Sequence, residues 1–130
     1  MRYVFILAAL CSFAFADKIA WGHNYEAGLQ QTKESNKIMI LMFSQHGCKM
    51  CQYMHDTVFE DEEVVAYINA HYIPVELDIY KDELPKRMKA YGTPTFYFVD
   101  AKGKKISKVI GGAKAPVFLQ KLQEIKRKNK

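Results

Sequence analysis

The sequence predicts an α/β domain with a central mixed β-sheet and α-helices on both of its faces. Three observations carry that prediction. Helical and strand patterns alternate along most of the chain. Ile38 to Phe43 (Ile-Met-Ile-Leu-Met-Phe) is an unbroken apolar run of six, the pattern of a strand covered on both sides. The last third reads as a hairpin followed by a helix, which makes the sheet mixed rather than all parallel.

The elements follow in order. Asn24 is placed to cap a helix running to about Ser35. The apolar strand follows, and Ser44 to Gly47 breaks it. A second helix starts near Cys48, with Cys51, Met54 and Val58 at helical spacing. Asp61-Glu62-Glu63 puts acids at the start of a third helix, where the helix dipole favours them, and Val64, Val65 and Ile68 form its apolar face. Ile73, Val75 and Leu77 alternate along a strand that ends at Asp78. Asp82 is read as the cap of a further helix aligning Leu84, Met88 and Tyr91, with Pro85 in its first turn and Gly92 at its end. Thr95 to Val99 is a strand, Asp100 to Gly103 a hairpin turn, and Ile106 to Ile110 a more polar edge strand. After Gly111-Gly112, a final helix begins near Pro116 and carries Phe118, Leu119, Leu122 and Ile125.

Composition bounds the function classes. At 130 residues, with 49% hydrophobic and 25% charged residues, the chain suits one globular domain. There is no fixed-period repeat, and three cysteines are too few for a disulfide-stapled mini-protein. Arg2, the apolar stretch from Tyr3 and the small-x-small Ala14-Phe15-Ala16 read as a secretory signal over residues 1–16, leaving 17–130 as the domain. The greasy run of 14 residues falls short of the about 20 a spanning helix needs. A lipoprotein signal at Cys11 fits poorly because bulky Leu10 precedes it. Export places the protein in an oxidising compartment, where Cys48 and Cys51 can pair. Residues 102–130 hold ten basic residues and one acid. Lys126, Arg127, Lys128 and Lys130 at a helix C-terminus complement its dipole, so the charge is not read as a nucleic-acid site.

The chemistry concentrates in Cys48-Lys49-Met50-Cys51, after a buried strand and at the opening of a helix. Two intervening residues make one turn and bring the sulfurs within bonding distance. The first sulfur faces unpaired backbone N–H groups and the positive end of the dipole. Its thiolate is thereby stabilised, below the free value of about 8.5. The second lies a turn deeper. Cys48 is therefore read as the attacking thiolate and Cys51 as the resolving thiol.

A haem-attachment site would have histidine after the second cysteine, where Gln52 stands. A zinc or copper module built from His46, Cys48, Cys51 and His55 is the alternative reading, with Met50 and Met54 favouring copper. The four histidines are otherwise read as surface or hydrogen-bonded groups, and Met39, Met42 and Met54 as core.

With Cys48-Lys49-Met50-Cys51 behind a buried strand, Gly92-Thr93-Pro94-Thr95 about 40 residues later and Gly111-Gly112 before the last helix, the chain resembles the thioredoxin superfamily. The resemblance implies a thioredoxin-like fold over nearly all of 17–130 and a cis Thr93–Pro94 bond. It also implies that the Thr93 backbone pairs with an extended substrate segment, Thr93 and Pro94 forming the substrate-binding site. Met54, Thr57-Val58-Phe59, Asp61 and Val64 resemble the exported members, such as the C-terminal domain of the transmembrane reductase DsbD. Two departures stand out. Gly47 occupies the place of the tryptophan that cytosolic members carry before the first cysteine. Met42 falls where they bury a carboxylate that helps deprotonate the resolving thiol. Glu76, Asp78 and His55 are the candidates for that proton transfer.

The reading is thus a periplasmic thiol–disulfide oxidoreductase with a redox-active Cys48–Cys51 disulfide and no cofactor. Its expected partners are protein disulfide substrates and a membrane electron donor, and its expected state is a monomer. A domain that keeps the fold only for interaction is a third reading.

Overall fold

The computed structural model describes residues 18–130, so the expected signal at 1–16, and Cys11 within it, lie outside the described residues. The apolar run becomes β1 (Ile38–Ser44), the strand around which the sheet is built. Met39 to Phe43 have no exposed surface. Each such side chain contributes about 1.5–3 kcal/mol relative to an exposed one. The sheet order is β2-β1-β3-β4. β2 (Tyr72–Asp78) runs parallel to β1, with Ile38 opposite Tyr72 and Ser44 opposite Asp78. β3 (Thr95–Val99) and β4 (Lys105–Ile110) extend the other side antiparallel.

A parallel pair needs a long crossover. Here it holds α2 (Lys49–Asp56), a short 3-10 turn (Val58–Glu60) and α3 (Glu62–His71). Asp61 ends the turn and starts α3, its carboxylate accepting from the Glu63 and Val64 N–H groups at 3.1 Å. The sheet divides its side chains by parity. Ile38, Ile40, Met42, Phe96 and Phe98 pack against α2, α3 and α4 (Ala115–Lys128). Met39, Leu41, Phe43, Tyr97 and Val99 pack against Tyr25 and Leu29 of α1 (Tyr25–Ser35) and against Leu84 and Met88. Helix α1 is capped as expected, Asn24 Oδ1 accepting from the Ala27 N–H at 2.8 Å. It lies so close to β2 that a Cβ at Gly28 would collide with Val75 Cγ2. The four-stranded mixed sheet flanked by four helices is the expected α/β, thioredoxin-like architecture.

One expected element is absent. Residues 82–91 form turns and irregular backbone rather than a helix. Pro85 disfavours helical geometry at Leu84, and Arg87 sits in the left-handed region at φ 69°. Side chains from elsewhere satisfy the backbone. The Tyr97 hydroxyl donates to Lys89 O at 2.7 Å and accepts from the Lys89 N–H at 3.1 Å. Asp82 does not cap a helix; its carboxylate accepts from the Asp78 N–H at 2.7 Å. Of the aligned apolar residues that suggested a helix, Met88 is buried and Leu84 partly so in the core, whereas Tyr91 is exposed.

The two sheet edges differ. β4 is the polar edge expected of it. β2 is covered by a strap that precedes α1: the Gly22 N–H donates to Pro74 O at 3.0 Å and Gly22 O accepts from the Glu76 N–H at 2.8 Å. The basic C-terminus falls where expected, with Lys126, Arg127 and Lys128 in the last turn of α4. Among the described residues no helix is long and apolar enough to cross a membrane.

Candidate redox site

The site forms where β1 hands over to α2. Gly47 adopts φ 79°, a left-handed conformation that glycine accepts without strain, and the turn delivers Cys48 to the helix N-cap. There Cys48 Sγ accepts from the Cys51 N–H at 3.1 Å, as a serine or aspartate cap would. Cys48 and Cys51 are joined in a disulfide, with their Cα atoms 5.3 Å apart. Cys51 is 5% exposed and packs in the core cluster under α2, whereas Cys48 is partly open to solvent. The pair therefore has an outer sulfur that a partner can reach and an inner one that it cannot.

Facing it is the loop before β3. The Thr93–Pro94 peptide bond is cis. Cys48 Sγ lies 3.5 Å from Thr93 O, and Gln45 Nε2 donates to Thr93 Oγ1 at 2.9 Å. Pro94 is buried, and its carbonyl accepts from the Gly111 N–H at 2.8 Å. The loop is thus tied to β1's end on one side and to β4's end on the other. All four expected site residues, Cys48, Cys51, Thr93 and Pro94, come together.

Below the disulfide, a cleft is lined by Gln45, His46, Cys48, Cys51, His55 and Glu76, among others. His55 Nε2 and Glu76 Oε2 are 2.6 Å apart, with side chains 33% and 18% exposed. The hydrogen bond that His55 donates to Glu76 raises His55 above its usual 6.5, against the opposing effect of burial; the charges of Glu76 and Asp56 add to the rise. Burial works to raise Glu76, but the hydrogen bonds from His55 and Ser44 and the charges of His55 and His23 outweigh it and hold the carboxyl low. Asp78 is elsewhere employed, accepting from the Tyr80 and Lys81 N–H groups at 2.9 and 3.1 Å. His46 is exposed. The alternative metal set is not assembled: among the described residues no three His, Cys, Asp or Glu side chains are grouped to hold an ion.

Trp21 escaped the sequence reading. It comes from the strap over β2 and meets His55 edge-on with ring centroids 5.7 Å apart, and Phe59 at 5.0 Å. Nothing periodic marks residues 18–23, so no sequence signal pointed to it.

A cysteine pair at the opening of a helix after a central strand, its first member the N-cap, opposite a cis-proline loop, defines a class of thiol-active α/β domain. The chain belongs to the thioredoxin-like domain family, whose profile matches residues 25–126. It is 25% identical over 107 residues to the disulfide bond reductase DsbH of Chlamydia pneumoniae, covering 72% of this chain and 64% of that protein. The chain spans just under two thirds of the length of the curated relatives it matches. A solved DsbH oxidoreductase superposes with a TM-score of 0.69 at 23% identity, over 85% of this chain and 86% of the other. The oxidised DsbD C-terminal domain of Neisseria meningitidis superposes at 0.63 with 18% identity, over 81% and 98%. These two likenesses speak to the fold.

Proposed function

We propose that this chain is an exported thiol–disulfide oxidoreductase that reduces disulfides in other proteins. The carrying observation is the asymmetry of the pair: a reachable Cys48 sulfur at a helix N-cap, bonded to a buried Cys51 and set against the cis-Pro94 loop. The reduced Cys48 thiolate attacks one sulfur of a substrate disulfide, and the other substrate sulfur leaves with its electron pair. Cys51 then attacks Cys48 Sγ, and the second substrate sulfur leaves. The substrate gains two electrons and the Cys48–Cys51 disulfide forms, so no cofactor is required. The Thr93 backbone is the pairing edge for an extended substrate segment, with Pro94 offering no competing N–H beside the sulfurs.

The direction and the setting are further parts of this reading. Reduction is favoured by the similarity to a protein named as a disulfide bond reductase. A signal over residues 1–16, cleaved after Ala16, supports a periplasmic location, where a membrane electron donor would re-reduce the pair and the domain would act as a monomer.

Equilibration against glutathione buffers tests activity and direction together. Two-electron cycling of the pair is expected, with a potential more negative than about −200 mV, on the side of thioredoxin near −270 mV rather than of DsbA near −120 mV. A pair that does not cycle contradicts the reading. A pair that cycles near −120 mV overturns reduction and leaves an oxidant.

A further inference from the structure

Resolution needs a proton acceptor, because a buried thiol resists ionisation. Cys51 is such a group, and Met42 of β1, in the same core cluster, is apolar and can take no proton. The cleft offers something else. Cys51 and His55 stand one turn apart on α2 and open into the same cleft, which Glu76 of β2 also lines. His55 is not left free to rotate: Glu76 holds Nε2 at 2.6 Å, and Trp21 and Phe59 meet the ring at 5.7 and 5.5 Å between centroids. Glu76 is fixed in turn by the Gly22 strap, which accepts from its N–H, while its own carbonyl lies 3.1 Å from His23 Nδ1.

We propose that the His55–Glu76 pair exchanges the Cys51 proton through water in this cleft, with His55 carrying it and Glu76 and Trp21 as positioning residues. The inference rests on the oxidoreductase reading above. In resolution, the Cys51 Sγ–H bond breaks and its proton passes to the pair. The freed electron pair forms the bond to Cys48 Sγ, and the electrons of the Cys48–substrate bond leave on the substrate sulfur. When a donor reduces the Cys48–Cys51 disulfide, the pair returns the proton to the departing Cys51 sulfur.

The charged and titratable groups facing the pair are few. Asp56 on α2 adds to Glu76 in raising His55, and His23 from the strap acts on Glu76. His55 accepts a proton only when neutral. Resolution should therefore accelerate as pH rises through the raised His55 value, above 6.5. Removing the Glu76 charge takes away the main cause of that rise, so the limb should move to lower pH. The weaker base should also give a slower plateau.

The test mixes reduced protein with oxidised glutathione between pH 5.5 and 9, quenches with acid, and follows glutathionylated Cys48 by mass. Its formation reports attack and its decay reports resolution. For Glu76→Gln the decay limb should shift acidward, and for His55→Gln it should vanish with decay slowed about 100-fold or more. Formation should stay within about twofold of wild type in both, a split that loss of packing alone would not produce. An unmoved limb in Glu76→Gln, or formation and decay falling together, overturns the relay. If His55→Gln fails to fold, the Glu76→Gln limb decides. If the wild type is oxidised neither to a glutathione adduct nor to the Cys48–Cys51 disulfide, the oxidoreductase reading itself is overturned.

Discussion

Cys48→Ser should abolish insulin-disulfide reduction, lowering turnover about 1000-fold or more, while Cys51→Ser should stop turnover at a trapped covalent complex. The two outcomes differ because the two sulfurs have different surroundings. Cys48 sits at the helix N-cap and is partly open to solvent, whereas Cys51 is 5% exposed. Serine at 48 leaves no nucleophile within a partner's reach, and removing the member of a catalytic unit that attacks first costs nearly the whole rate enhancement. Serine at 51 leaves attack intact but removes the group that displaces the captured partner. A mixed disulfide should then accumulate at Cys48 and be visible as an added mass that reductant removes. Equal residual turnover in the two variants, or a complex trapped through Cys51 in Cys48→Ser, would contradict the assignment.

Phe59→Ala should destabilise the domain severely, by about 3–5 kcal/mol. The ring is 4% exposed and stands among Trp21, His55, Phe96 and Phe118, with centroid distances of 5.0 to 6.2 Å. Edge-to-face partners each add about 0.5–1.5 kcal/mol beyond burial. A domain of this size has about 5–15 kcal/mol in total, so the loss takes much of it. The thermal midpoint should fall by roughly 10–20 °C. Phe59→Leu, which keeps most of the volume, should lose much less. Calorimetry on the three proteins checks both statements, and a fall of only a few degrees for Phe59→Ala would show that the cluster does not hold the crossover. Because Trp21 and His55 rest on this ring, the same change should loosen the cleft below the disulfide.

The features that were legible in the sequence are those whose cause is local. A run of six apolar residues suits a strand covered on both faces, and Ile38–Phe43 became the centre of the sheet. Asn24 was readable as a cap, and Asp61 and Cys48 as the starts of helices, because those signals lie within a few residues of chain; Asp82, read as a cap in the same way, has no helix after it. The cysteine spacing and Thr93-Pro94 pointed to one another through the resemblance to a family, and the cis bond is present.

What was not legible depends on distant partners. Leu84, Met88 and Tyr91 had helical spacing, but Pro85 and the Tyr97 hydroxyl, eight residues away from Lys89 and on another element, decide the backbone of that segment. Glu76, His55 and Asp78 could not be ranked from sequence. Strand alternation puts Glu76 and Asp78 on the same face, and only the fold shows one carboxylate meeting His55 and the other closing a local turn. Trp21 is the extreme case, since its strap acquires meaning only once β2 exists to receive it.

The central claim is that the Cys48 sulfur is held ionised and reachable by its position at the start of α2. The direct measurement is the pH dependence of iodoacetamide alkylation in the fully reduced protein, with the modified residue located by mass. Modification should fall first on Cys48, with a midpoint below the roughly 8.5 of a free thiol. A midpoint at or above that value, or first modification at Cys51, would contradict the account.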